Sequence, residues 1–115
     1  MLKAPASKAT TPCTNYPYGT VTINNTKYYT FKMRSKKTII TPNGNSWGSV
    51  ASGCRVACLD ACAGQTKQWT KQIHYVENTS GKWVKVTGDG KNYGFVDTGL
   101  KSGSSPTSIA MYGKW

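Results

Sequence analysis

The stretch GKWVKVTGDGKNYGFVD, residues 81–97, decides the fold class. On both sides of Gly88-Asp89-Gly90, β-branched and aromatic side chains recur between polar ones, a pattern typical of a half-buried strand. Glycine and aspartate also accept the positive φ that a tight turn requires. The stretch therefore predicts two antiparallel strands, 83–86 and 93–96, joined as a hairpin.

The same pattern recurs along the chain in short runs separated by Gly, Asn and Pro. The predicted strands are 20–23, 27–33, 38–41, 72–77, 82–87, 93–97 and 109–112. Asn24-Asn25 suits a tight turn and Pro42-Asn43-Gly44 a broader one. Many short strands predict an all-β barrel or sandwich, and 115 residues suffice for one domain. We assign residues 1–15 to a linker and 16–115 to this domain.

Residues 52–68 depart from the strand pattern. Their alanines and leucine allow a helical turn or a cysteine-pinned loop, ended by Gly64. Cys54, Cys58 and Cys62 follow one another at four-residue spacing, which would place the three sulfurs along one stripe of a helix. Three alternatives stay open for the thiols: disulfides that include Cys13, a zinc site completed by Cys13 or His74, and unpaired buried cysteines.

The charge of the chain is strongly one-sided. Fifteen Lys and Arg face four Asp and Glu, a formal net charge of +11 that favours an anionic partner. Only Arg34 and Arg55 are arginines, whereas specific base recognition favours the bidentate guanidinium. No apolar run reaches the ~18 residues of a membrane span, and the first residues lack the apolar region of a signal peptide.

Catalytic chemistry is not indicated. The single histidine, His74, lies in a predicted strand, where a structural role is the expected one. No Ser-His-acid set and no glycine-rich phosphate loop can be specified, and the four acids form no pair suited to glycoside hydrolysis. We therefore expect a non-catalytic module without a cofactor.

The segments QIHYVE (72–77), GKWVKV (81–86) and GKNYGFV (90–96) together resemble the bacterial SH3 (SH3b) domains of phage endolysins and cell-wall hydrolases. Residues 109–113 are similar to the closing strand of the lysostaphin-type subgroup. The resemblance spans roughly residues 19–115, and the cysteine-containing insertion at 46–69 departs from the family pattern. It implies a small SH3-like barrel that anchors a lytic enzyme to Gram-positive peptidoglycan or teichoic-acid-bearing wall.

The resemblance also implies where a ligand would bind. The matching groove positions are Asn24, Tyr28, Glu77, Tyr93 and Tyr112. Long-range attraction to wall phosphates would come from four lysines: Lys82, Lys85, Lys91 and Lys114. In such a protein the catalytic domain would precede the module, and the product would be made in the host cytoplasm and act at the bacterial cell wall. A homo-oligomer, or assembly with the full-length enzyme, would raise avidity.

Two other hypotheses use the same features. A basic β-barrel with interleaved aromatic residues also describes single-stranded nucleic-acid binders, in which bases stack on exposed rings. A secreted, cysteine-stapled toxin would also combine cationic charge with cysteine density.

Overall fold

The computed structural model describes residues 19–59, 70–99 and 111. In these ranges the chain is all-β, without a helix, and so contains no helix long and apolar enough to cross a membrane. The strands are β1 Gly19–Ile23, β2 Thr26–Lys32, β3 Lys37–Ile40, β4 Ser46–Val50, β5 Arg55–Cys58, β6 Thr70–Ile73, β7 Tyr75–Glu77, β8 Trp83–Lys85 and β9 Gly94–Asp97. The predicted all-β, barrel-like class is confirmed.

The strands form two antiparallel sheets that share one core. The five-stranded sheet has the order β1-β2-β5-β7-β8, and the four-stranded sheet has the order β4-β3-β9-β6. Inward-facing side chains of both sheets meet in one cluster, which includes Phe31, Ile39, Val56, Ile73 and Val96. A curled, barrel-like sheet arrangement results, with an outer face available to solvent.

The chain passes from one sheet to the other at His74. A single strand was expected over 72–77, but β6 belongs to the four-stranded sheet and β7 to the five-stranded one. At the junction the His74 N–H donates to the Ala57 carbonyl at 2.8 Å, and the His74 carbonyl accepts from the Val86 N–H at 3.0 Å. The residue between the two strands is therefore tied to both neighbouring segments of the five-stranded sheet.

The hairpin predicted between 83–86 and 93–96 is wrong. β8 pairs with β7, and β9 pairs with β3 and β6. The turn itself has the expected chemistry, because Asp89 and Gly90 have φ of 54° and 73° and Gly88 bridges Lys91. This tight turn lies inside a longer connection that carries the chain from one sheet to the other.

The helical turn considered within 52–68 is also not what the described part shows. Arg55–Cys58 is strand β5, which pairs with β2 on one side and β7 on the other. Val56 and Ala57 are fully buried there. Extended backbone separates the α-carbons of Cys54 and Cys58 by roughly 13 Å, so a helical stripe of sulfurs does not form over these two residues.

The other turns follow the prediction. Asn24 and Asn25 both have positive φ, 51° and 67°, and close the tight β1-β2 hairpin. Residues 42–45 form the broader β3-β4 turn, in which the Gly44 N–H donates to the Thr41 carbonyl. The predicted strand at 109–112 lies outside the described residues except for Met111, which is buried and bridges Met33.

One inward-facing position is a lysine. Lys71 on β6 is fully buried, with its Nζ 4.8 Å from the centroid of the Phe31 ring. An ammonium group over an aromatic face is attracted by the ring quadrupole, more strongly when water is excluded. Phe31 therefore both fills the core and faces a buried cation.

Gly94 lies where the two sheets approach each other closely. A Cβ at this position would lie 2.9 Å from a Val86 methyl, 3.0 Å from the Ile40 carbonyl oxygen and 3.1 Å from an Ile39 methyl. Because one of these neighbours is backbone, Gly94→Ala is expected to lower the free energy of unfolding by about 1–3 kcal/mol. Chemical denaturation measures this change. Exposed Ser49→Ala is the control, and equal stability of the two variants would contradict the close approach.

Candidate functional site

Five aromatic side chains form a continuous row that crosses from one sheet to the other. We call it the aromatic row, and its members are, in spatial order, Tyr75, Tyr28, His74, Tyr93 and Phe95. The centroid distances between successive rings are 5.3, 6.0, 6.2 and 5.8 Å, and the interplanar angles run from 41° to 88°. Tyr75 is buried, and the other four rings are partly exposed.

Strand alternation positions both ends of the row. In β2 the core residue Phe31 points inward, so Tyr28 lies on the opposite, outer face. In β7, Val76 packs in the core and Tyr75 faces outward. The same argument places Tyr93 and Phe95 outside the four-stranded sheet, because Val96 points into the core. His74, at the crossing between the sheets, joins the two halves.

Two polar groups of the row, the His74 imidazole and the Tyr28 hydroxyl, can donate hydrogen bonds. His74 Nδ1 lies 3.3 Å from the Asn92 carbonyl oxygen, to which it can donate. Burial, followed by the neighbouring Tyr75 hydroxyl, raises the pKa of Tyr28 above its ordinary value. The Tyr28 phenol therefore keeps its proton at neutral pH and can act as a hydrogen-bond donor.

Two of the lysines that were predicted to attract wall phosphates, Lys85 and Lys91, lie beside the aromatic row. Lys85 is the register partner of Tyr75, which places the two side chains on the same face of neighbouring strands. Lys91 directly precedes Asn92, and both residues are exposed. Lys82 lies in the turn at the other end of the β7-β8 hairpin, roughly 10 Å from Lys85 along the strand. The row thus has lysines beside it at two points, and Lys82 is distant from it.

The acids in the described ranges are engaged elsewhere. Asp97 pairs with Lys37 at 3.7 Å. Asp89 accepts from the Asn43 N–H at 3.0 Å and, together with the Thr41 side chain, ties its turn to the β3-β4 turn. The Thr41 hydrogen bond is the main cause that lowers the pKa of Asp89, followed by the Asn43 N–H.

Glu77, which was predicted as a groove residue, is bonded to Arg55. Its carboxylate accepts from Arg55 Nη2 at 2.8 Å, Nε at 3.1 Å and the Arg55 backbone N–H at 3.0 Å. The same guanidinium lies 4.9 Å from the Trp83 ring centroid. These bonds, first of all the side-chain one, lower the pKa of Glu77 and raise that of Arg55. Glu77 therefore anchors β5 to β7 on the outer face.

Glu77→Gln is expected to destabilise the fold by about 1 kcal/mol at pH 7, since charge-assisted bonds are lost but the guanidinium is partly solvated. Because the pKa of Glu77 is lowered in the folded protein, its contribution is present above the ordinary carboxyl value of 4.5 and is lost as pH falls through the lowered pKa. Urea unfolding at several pH values measures both effects. Asp97→Asn, which removes the longer ion pair with Lys37, is the matched control. If Glu77→Gln lowered the free energy of unfolding no more than Asp97→Asn does, the stabilising role of the Arg55–Glu77 pair would be contradicted.

Of the remaining predicted residues, one lies in the described part of the chain and two lie outside it. Asn24 is exposed in the β1-β2 turn, at the end of the hairpin that carries Tyr28, and two residue pairs separate it from the Val21-Tyr28 pair. Tyr112 and Lys114 lie outside the described residues. His74, Tyr75 and Phe95 belong to the row but were not predicted for it. Strand alternation, which puts Phe95 on the face of Tyr93, was a usable signal for one of them.

The cysteines give no metal site in the part of the chain that the structure describes. No group of three or more His, Cys, Asp or Glu side chains lies close enough there to hold an ion. Cys54 is a free thiol whose Sγ lies 3.7 Å from the Asn78 carbonyl oxygen, whereas Cys58 is buried in the core cluster. Their separation also exceeds the span of a disulfide. Cys13 and Cys62 lie outside the described residues.

In comparisons with known proteins, no family model, curated protein or solved structure matched the chain.

Proposed function

We propose that the protein is a non-catalytic module that anchors a lytic enzyme to the Gram-positive cell wall through the aromatic row. The observation that supports this proposal is the proximity of Tyr28 and Tyr93, two predicted groove residues from distant parts of the sequence. Each lies about 6 Å from the His74 ring, at 6.0 and 6.2 Å. The proposal includes a catalytic domain that precedes the module and a site of action at the wall.

The chemistry of the row suits a thin, polar polymer. Rigid rings offer contact area at low conformational-entropy cost, and hydroxyl and imidazole groups orient the ligand by hydrogen bonds. Neighbouring rings are tilted by at least 41°, so the row presents both ring faces and ring edges. Lys85 and Lys91 add attraction to an anionic surface, screened within about 8 Å at physiological salt.

Co-sedimentation of the fluorescently tagged full chain with purified walls from a panel of Gram-positive bacteria tests this function. We expect binding to some of these walls that persists at moderate salt, because ring contacts are not screened. Failure to bind any wall, at low as well as moderate salt, would contradict the proposal. Comparison of walls before and after removal of teichoic acid separates peptidoglycan from the wall polymer as ligand.

Single-stranded nucleic acid is the second candidate, because rings with lysines beside them also provide a base-stacking surface. The discriminating property is salt dependence. Binding that rests on phosphate neutralisation weakens steeply with salt through counterion release. An oligonucleotide titration at about 0.05 M and about 0.2 M salt measures this. Tight oligonucleotide binding without wall binding would favour this candidate.

A further inference from the structure

We infer that His74 contacts the ligand directly and that the row takes a phosphate-bearing wall polymer, which it binds more strongly as pH falls. This inference rests on the proposed wall-binding function and deepens it. It names the ligand class and assigns a role to the one histidine of the chain. The sequence alone had indicated a structural role for this residue.

The first support is the position of the imidazole. Its ring lies between those of Tyr28 and Tyr93 and is partly exposed. Nδ1 is directed to the Asn92 carbonyl oxygen at 3.3 Å, and a carbonyl can only accept, so this nitrogen is the donor. Nε2 is then the second polar atom of the ring, an acceptor when the imidazole is neutral and a donor when it is protonated.

The second support is the charge around His74. Aromatic neighbours of His74 come from β2 (Tyr28), from β7 (Tyr75) and from the segment before β9 (Tyr93). Two lysines adjoin residues that bond to His74: Lys85 precedes Val86, and Lys91 precedes Asn92. The acids of the same elements are held by other partners. Asp89, inside the Gly88–Lys91 turn, accepts from the Asn43 N–H at 3.0 Å, and Asp97, at the end of β9, pairs with Lys37 at 3.7 Å. The nearest carboxylate along the outer face of β7, that of Glu77, is bonded to Arg55. The surface around His74 therefore combines aromatic rings with lysines, which suits an anionic ligand.

The consequence is a dependence of binding on pH. Histidine gains its proton between about pH 8 and about pH 5, whereas a phosphodiester stays anionic over this range. Protonation turns Nε2 into a donor and adds a positive charge that attracts the phosphate. A neutral glycan or a peptide without phosphate would gain little from this change.

The experiment measures co-sedimentation of the full chain with walls at about pH 8 and about pH 5.5, at constant ionic strength. We expect wild-type affinity to rise about five- to tenfold at the lower pH, the effect of one partly solvated charge-assisted hydrogen bond. His74→Gln, which keeps polarity but takes no proton, should bind equally at both pH values. Lys82→Ala, a loss of charge away from the row, should keep the wild-type pH profile.

The outcomes separate this inference from the proposed function. Wall binding that is lost in row variants but is independent of pH would overturn the inference and leave the function standing. An undiminished pH profile in His74→Gln, or in wild type on walls stripped of teichoic acid, would also overturn it. If the protein bound walls at neither pH, both the inference and the proposed function would be contradicted. A His74-dependent pH profile seen only with an oligonucleotide would assign the row to nucleic acid.

Discussion

Replacement of Phe31 by alanine is expected to lower the free energy of unfolding by about 3–5 kcal/mol. The side chain is 1% exposed and packs between both sheets. Its removal leaves a cavity in the core. It also takes away the ring that faces the Lys71 ammonium at 4.8 Å, so a buried cation loses a favourable neighbour.

Urea unfolding followed by tryptophan fluorescence measures the change. Phe31→Leu is the informative companion variant, because it keeps most of the volume and removes only the aromatic face. We expect Phe31→Leu to cost less than Phe31→Ala, about 1–1.5 kcal/mol. Loss of less than about 1 kcal/mol in Phe31→Ala would contradict the shared core, since a fully packed aromatic residue cannot be truncated so cheaply.

Simultaneous replacement of Tyr28 and Tyr93 by alanine is expected to weaken wall binding by at least about tenfold. Both rings are partly exposed, so we expect their removal to reduce the binding free energy substantially and the free energy of unfolding only slightly. Truncation of one anchoring aromatic residue typically costs about 1–2 kcal/mol of binding free energy or more, and the pair lies on both sides of His74. Co-sedimentation with walls, at matched protein concentration, measures the loss.

Trp83→Ala is the matched control for the double variant. It also removes a partly exposed ring from the outer surface, but this ring lies over the Arg55 guanidinium at 4.9 Å. We expect near-normal wall binding from Trp83→Ala. Circular dichroism and thermal unfolding establish that each variant is folded. A folded double variant that binds as tightly as wild type would exclude the aromatic row as the ligand surface.

Local sequence patterns predicted much of the strand content correctly. Period-two alternation located β1, β2, β3 and β9 within one or two residues, and Asn24-Asn25 identified the first hairpin turn. These features depend on neighbours along the chain. The pairing of β8 with β9 was predicted from the same local signals and is wrong, because which strand lies beside which is decided by the core that both sheets share.

β5 was missed for a related reason. Its sequence, RVAC, is short, and Ala57 and Cys58 have no strong strand preference, while the cysteine spacing suggests a helix. Burial between β2 and β7 outweighs these local preferences. The same long-range packing explains the site. A family resemblance was enough to predict Tyr28 and Tyr93. The position of His74 between them follows from the crossing between the two sheets, which no local sequence pattern predicted.

Ligand binding at the aromatic row is tested most sharply by an NMR titration of the labelled full chain with soluble wall fragments that carry teichoic acid. We predict that chemical-shift changes concentrate on Tyr28, His74, Tyr93 and Phe95 and on the neighbouring Lys85 and Lys91, with the Arg55-Trp83 contact unaffected. Changes concentrated instead on the β3-β4 turn or around Arg55, with the aromatic row unperturbed at saturation, would contradict the account.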